Sequence, residues 1–263
     1  MPSPQQGNDR NAYPLVPSLA DLCALRGQET SLLPVVLNVH ALVHTGFIVL
    51  PVLVALLVAW AAGSERLTFS ILAWILIAAA LALSGLLNRF GATPPPIALL
   101  VISGFIGTIA VGTSSWVRRL IELPLPALIA AQAFRILVEM LIHKSSTIGL
   151  APPQMTWDGY NFDIITGVTA LALAPFARAV PTRLVFIWNC LGLALLIWVV
   201  GIAIVSFPTP FQLLRPDNTW VAFFPYVWLP SILIPAALLG HIVIFRKLAM
   251  KRIPDESVGH AQL

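Results

Sequence analysis

Apolar residues gather in long runs along this chain, and polar residues gather in the connectors between them. A helix needs roughly 20 predominantly apolar residues to cross a bilayer core. Seven runs approach that length: 35–62, 67–87, 97–115, 124–143, 162–180, 183–207 and 226–248. Pro94-Pro95-Pro96 precedes the third, Pro175 interrupts the fifth, and Pro230 and Pro235 fall near the start of the seventh. Proline is tolerated in a membrane helix where neighbours satisfy the freed backbone groups. The pattern predicts an all-α membrane protein, a bundle of about seven transmembrane helices. Because the third run is short and the fifth interrupted, six helices plus one re-entrant piece is the alternative. The connectors are short except 144–161 and 208–225, and no internal repeat is visible.

Composition agrees. Of 263 residues, 58% are hydrophobic and 10% charged, with a mean hydropathy of +0.89. A soluble domain runs at roughly 45–50% apolar and about 25% charged. An ordinary soluble enzyme, a disordered chain and a fibrous repeat are excluded. The net charge is +4 and the pI about 9.5. The basic residues stand mostly at the ends of apolar runs, as in cytoplasmic membrane loops, so nucleic acid is not an expected partner. Cys23 and Cys190 are not expected to form a disulfide, and no metal-binding cysteine spacing is present. Residues 1–30 mix acidic and basic residues with prolines and do not read as a signal peptide.

The basic residues also orient the bundle. Arg66, Arg118, Arg119, Arg178, Arg183, Arg246, Lys247, Lys251 and Arg252 crowd short segments on one side. Arg10, Arg26, Arg89, Lys144 and Arg215 are spread over long segments on the other. The N-terminus is therefore expected outside and the C-terminus in the cytoplasm. Residues 1–34 form an extracytoplasmic lead-in, 35–248 the bundle and 249–263 a cytoplasmic tail. Within the lead-in, residues 18–26, with Ser18 as cap, read as a short interfacial helix or as a lead-in without function.

Two charges lie inside the fourth run, in Phe134-Arg135-Ile136-Leu137-Val138-Glu139-Met140-Leu141-Ile142-His143. A mid-bilayer charge costs about 2.5–3.5 kcal/mol on insertion scales unless it faces protein and meets partners. Arg135, Glu139 and His143 fall at i, i+4 and i+8, on one side of the helix. Counting about 1.5 Å per residue from the run's inner end puts Arg135 roughly 17 Å deep and Glu139 roughly 22 Å. Glu139, one turn on, is the expected partner of Arg135. The pair is either a ligand-binding charge pair or an ion pair that only fixes helix packing.

His40 and His44 in the first run, and Asn161 and Asp163 at the start of the fifth, approach the same layer from the outer side. Together with Glu139 and His143 they form a candidate metal-ligand or proton-relay set, since imidazole and carboxylate suit both tasks. The competing reading of His40 and His44 is a pair of interfacial histidines bonded to loops. For Asn161 and Asp163 the alternatives are helix capping, or contact of Asp163 with Arg135 or His143 across the bundle. Asp158-Gly159 signals a turn. Asn189 and His241 mark a second polar level roughly 8–9 Å from the cytoplasmic boundary, with His241 read as a satisfied core residue. Gly104, Gly107 and Gly112, with Ser103, read as close-packing positions. Residues 220–228, rich in aromatics, read as an outer interfacial belt.

Four motifs, Phe134-Arg135-Ile136-x-Val138-Glu139, Met155-Thr156-x-x-Gly159-x-Asn161-Phe162-Asp163-Ile164, Ile187-Trp188-Asn189 and Phe224-Pro225-Tyr226-Val227-Trp228-Leu229-Pro230, resemble a family of uncharacterised bacterial multi-spanning membrane proteins. The resemblance runs over about 94–248. It implies a bundle of membrane helices in a bacterial inner membrane and puts Arg135, Glu139, Asn161 and Asp163 in the defining pattern. It implies no chemistry.

Other classes fit poorly. The seventh run has no lysine before Lys247 for a retinal Schiff base, and no P-loop, G-x-S-x-G or H-E-x-x-H is present. The leading expectation is an outward-opening polar pocket built from Arg135, Glu139, His143, Asn161 and Asp163. It would bind or conduct a small solute, ion or proton. The alternatives are a membrane-embedded metal- or haem-binding protein or an enzyme acting on lipid or quinone, with His40 and His44 among its ligands, and an accessory subunit bound to other membrane proteins. No cofactor is specified.

Overall fold

A computed structural model describes the backbone over 19–252 and side chains over 38–250. Ser18, Arg10 and the tail beyond Arg252 lie outside the described residues, and so does the capping expected of Ser18. The chain divides into two units, Met1–Val39 and His40–Leu263. All regular structure among the described residues is helical: α1 Leu19–Ala62, α2 Glu65–Leu83, α3 Pro96–Thr113, α4 Arg118–Glu122, α5 Leu125–Ala131, α6 Phe134–Thr147, α7 Ile164–Leu173, α8 Thr182–Val205 and α9 Ile234–Arg252. No separate interfacial helix is present at 19–26, where the backbone already belongs to α1.

Among the described residues, six helical spans are long and apolar enough to cross a membrane: Asn38–Ala62, Glu65–Leu83, Pro96–Thr113, Leu125–Thr147, Thr182–Val205 and Leu229–Met250. The third run thus makes a full-length span. The fifth does not. Its apolar helix covers only Ile164–Phe176, because Pro175 cannot supply the N–H that would continue α7 and the chain tightens into a 3-10 turn at Ala174–Phe176. At about 1.5 Å per residue, the 10 residues of α7 reach about 15 Å, half a bilayer core.

Large apolar side chains cover the exterior, among them Trp60, Phe69, Leu76 and Leu83, each more than two-thirds exposed. Only 17% of the Pro96–Thr113 window is buried, against 44% for Leu125–Thr147 and 50% for Leu229–Met250. The two most enclosed spans carry three buried ionisable residues, Arg135 and Glu139 on one and His241 on the other.

Both enclosed spans depart from regular α-helix. Between α5 and α6, Gln132, Ala133, Arg135 and Ile136 each donate their N–H to the residue three back, at 2.9–3.2 Å. This tightened turn sets the direction of α6. Before α9, Leu229–Leu233 forms a π turn. Pro235 has no N–H to give the Ser231 carbonyl one turn before it, and Trp74 Nε1 of α2 donates there instead, at 2.9 Å.

Among the described residues, two apolar clusters fill the bundle. One, including Ala62, Leu67, Val117, Ile121, Val185 and Ile244, lies at the end where the basic residues crowd. The other, including Ala78, Leu87, Ile97, Ala222 and Val227, lies at the opposite end. Ala222, Val227 and Trp228 of the aromatic stretch belong to the second cluster, with Phe224 packed against it. Trp220 and Trp228 are only 4% and 7% exposed, and Trp220, Phe47 and Tyr226 pack with ring centroids 5.2–5.5 Å apart. Where an interfacial belt was expected, the two tryptophans turn into the bundle, while Phe223 stays 44% exposed. Composition alone does not separate these cases, since an aromatic ring suits a core as well as a headgroup layer.

A buried charge network as the candidate functional site

The connector after α6 does not stay on the surface. Ala151, Gln154, Met155 and Thr156 are buried, and Gln154 Nε2 donates to the Pro216 carbonyl at 2.6 Å and to Ser206 Oγ at 3.3 Å. The segment turns at Asp158-Gly159, as expected, and delivers Asn161 and Asp163 into the bundle, 0% and 5% exposed. Irregular backbone at such a place is tolerated only where protein encloses it. Asn161 Oδ1 accepts the Asp163 N–H at 3.0 Å, so Asn161 orders the entry into α7.

Among the described residues, the buried ionisable side chains are Arg135, Glu139, Asp163 and His241, and they lie in one neighbourhood. Arg135 does not pair with Glu139 on its own helix. It binds Asp163 in fork geometry: Nε donates to Oδ2 at 2.6 Å and Nη2 to Oδ1. This is the arrangement that planar guanidinium and carboxylate favour. Gly167 makes the reach possible. A Cβ there would stand 2.8 Å from Ile136 Cγ1 and 3.0 Å from Ile136 N, so only glycine lets α7 lie this close to α6.

The remaining Arg135 donor, Nη1, points at His241 Nε2 at 2.9 Å. A guanidinium has no lone pair to offer, so His241 Nε2 must accept. The ring is then neutral and its proton sits on Nδ1, which donates to Asn189 Oδ1 at 2.8 Å. Asn189 Nδ2 returns a bond to the His241 carbonyl at 3.1 Å. A Cβ at residue 192 would meet His241 Cε1 at 2.8 Å, so Gly192 makes room for the imidazole.

Glu139 sits apart from this ion pair. Its Oε2 accepts from Asn161 Nδ2 at 2.7 Å, and that same amide nitrogen bonds the Met155 carbonyl at 2.9 Å. Among the described residues no cationic side chain lies within ion-pair distance of Glu139. Arg135, Glu139 and Asp163 face a cavity of about 40 Å³ whose other walls are apolar, including Met155, Leu196 and Leu233. Two buried oxygens nearby in sequence, Gln132 Oε1 and Thr166 Oγ1, have no hydrogen-bond partner.

Of the residues expected in the site, Arg135, Glu139, Asn161 and Asp163 come together. His143 stands one step outside. It is half-buried, stacks on Trp157 with centroids 4.2 Å apart and 11° between planes, and has Nδ1 3.5 Å from Asp158 Oδ2. His40 and His44 are exposed, and His44 packs edge-on to Tyr226 at 6.1 Å. The ligand set of His40, His44, His143 and Glu139 does not assemble, and among the described residues no group of three or more His, Cys, Asp or Glu is placed to hold a metal ion.

His241 and Asn189, expected at a separate inner level, join the same network: His241 contacts Arg135 directly and Asn189 contacts His241. The signal was present as two lone polar residues on separate apolar spans. Residue counting gives backbone depths that differ by roughly 8 Å, and the long Arg135 side chain spans that difference to reach His241. No protein-family model, no curated protein and no solved structure matches this chain.

Proposed function

We propose that the chain is a polytopic protein of the bacterial inner membrane whose buried network binds, and passes across the bundle, a proton or a small inorganic cation, with Glu139 as the exchanging group. Charge balance carries the reading. Arg135 and Asp163 cancel, and His241 is held neutral by the Arg135 donor. The network is neutral when Glu139 carries a proton and singly negative when it does not. A buried, unmatched charge is costly, so the ionised state calls for a cation in its place.

Cavity size narrows the ligand. A space of about 40 Å³ exceeds the roughly 10–15 Å³ that one water needs, but leaves no room for an organic solute. Arg135, Asn161 and Asp163 position the carboxyl, and His143, four residues from Glu139 and beside Asp158, leads towards the extracytoplasmic side. In this reading the N-terminus is outside, the C-terminus is cytoplasmic, and α7 with its lead-in and the turn after it makes the seventh crossing that this orientation requires. The partners are the bilayer and the ion.

Proteoliposomes loaded with a pH-sensitive dye test this. After an external acid pulse with a potassium–valinomycin clamp, wild-type protein should acidify the lumen and Glu139→Gln should not, while keeping its thermal stability. Parallel uptake of radioactive sodium separates a cation from a proton. Equal rates for wild type, Glu139→Gln and empty liposomes in both assays would refute the proposal.

A further inference from the structure

A second cavity, of about 280 Å³, opens on the side of the bundle between α2, α3 and α9. Its walls include Leu67, Ile71, Trp74, Gly107, Val111 and Leu239. The hydroxyls on its lining are already committed: Ser70 bonds the Arg66 carbonyl at 2.8 Å, Ser103 the Leu100 carbonyl at 2.9 Å, Thr108 the Gly104 carbonyl at 2.8 Å and Ser231 the Val227 carbonyl at 2.7 Å. The Trp74 indole N–H is likewise taken by the Ser231 carbonyl. With the side-chain donors on the lining already used and the rest of the wall apolar, the groove suits hydrocarbon.

The rim is different. Leu67 lines the groove and follows Arg66, which is exposed at the start of α2. Arg119, also exposed, reaches the α1–α2 turn: a Cβ on Gly63 would stand 2.4 Å from its Nη1. Arg118 lies beside it and is exposed too. Arg246, by contrast, is committed to the end of α3 through the Gly112 and Ser114 carbonyls, at 2.6 and 2.8 Å.

We infer that this groove is a specific site for an anionic glycerophospholipid, with one acyl chain lying along Gly107 and Trp74 and the headgroup phosphate held by Arg66, Arg118 and Arg119. Apolar walls and a cationic rim are complementary to an acyl chain ending in an anion. Guanidinium binds phosphate in fork geometry, and basic residues near an anionic leaflet attract its headgroups. The site is independent of the Glu139 network.

Gly107 supplies a clean test, because a Cβ there has nothing within 4 Å. Gly107→Leu fills the groove without overpacking its walls. The full chain is delipidated in detergent, offered equimolar phosphatidylglycerol and phosphatidylcholine with identical acyl chains, and weighed intact by native mass spectrometry. The expected result is about tenfold preferential retention of phosphatidylglycerol, lost in Gly107→Leu and in Arg66→Gln/Arg119→Gln. Phosphatidylglycerol brominated on its acyl chain should quench wild-type fluorescence more than that of Trp74→Phe. Equal retention of the two lipids, or retention unchanged in Gly107→Leu protein of normal thermal stability, would overturn the inference.

Discussion

Removing the Asp163 charge should cost far more than removing that of Glu139, although both carboxyls are buried in the same network. In Asp163→Asn the shape is kept, but Arg135, 2% exposed, loses its only counterion in ion-pair contact among the described residues. Breaking a buried pair from one side costs about 3–5 kcal/mol, because the partner is left uncompensated. Taking about 2–4 °C per kcal/mol for a chain of this size, the melting midpoint should fall by roughly 6–20 °C. Glu139→Gln keeps an oxygen for Asn161 Nδ2, now 2.7 Å from Oε2, and removes no partner of a cation. Its cost should stay under about 1 kcal/mol, a shift of no more than about 4 °C. The assay is thermal denaturation of purified protein in one detergent, read by fluorescence-detected size exclusion. If Glu139→Gln destabilises as much as Asp163→Asn, Glu139 is part of the charge balance and the neutral-pair reasoning fails. If Asp163→Asn melts with wild type, the pair contributes nothing and the geometry does not describe the folded state.

Further outcomes follow from single contacts. Asn189→Leu strands the His241 Nδ1–H and should destabilise by about 1–3 kcal/mol, seen as a lowered melting midpoint. Gly167→Val forces α7 away from Ile136 and should cost at least about 1–3 kcal/mol, with a drop in detergent-extractable folded protein. Trp74→Phe leaves the Ser231 carbonyl opposite Pro235 without a donor and should cost about 1–3 kcal/mol by the same thermal assay. The double variant His40→Ala/His44→Ala should change stability by less than about 1 kcal/mol, with metal content by elemental analysis the same as wild type.

The spans were legible because hydropathy and run length answer to bilayer thickness alone. So was the meeting of Arg135, Glu139, Asn161 and Asp163, since stray charges in an apolar run must find one another. The partner of Arg135 was not. Helical spacing favoured Glu139, but the local choice was overridden by the approach of α7, which depends on Gly167 and on a connector that turns inward. Neither leaves a periodic trace. The His241 contact is hidden for another reason: counting residues gives backbone depth, and the guanidinium of Arg135 reaches His241 from a different level on its long side chain. The stretch 220–228 was misplaced because aromatic content indicates an amphipathic or large apolar residue without saying which side of the bundle it faces.

The Arg135 fork has a consequence for biogenesis. Its counterion arrives 28 residues later and its imidazole neighbour 106 residues later. When Leu125–Thr147 first leaves the insertion machinery, the guanidinium therefore has neither. That span's hydropathy of 1.8 ties with Leu229–Met250 as the lowest of the six. Stable release of the fourth span into lipid is therefore expected only once Asp163 and then His241 have followed it. Truncation before His241 should yield a nascent chain that stays accessible at the translocon and is cleared by quality-control proteases.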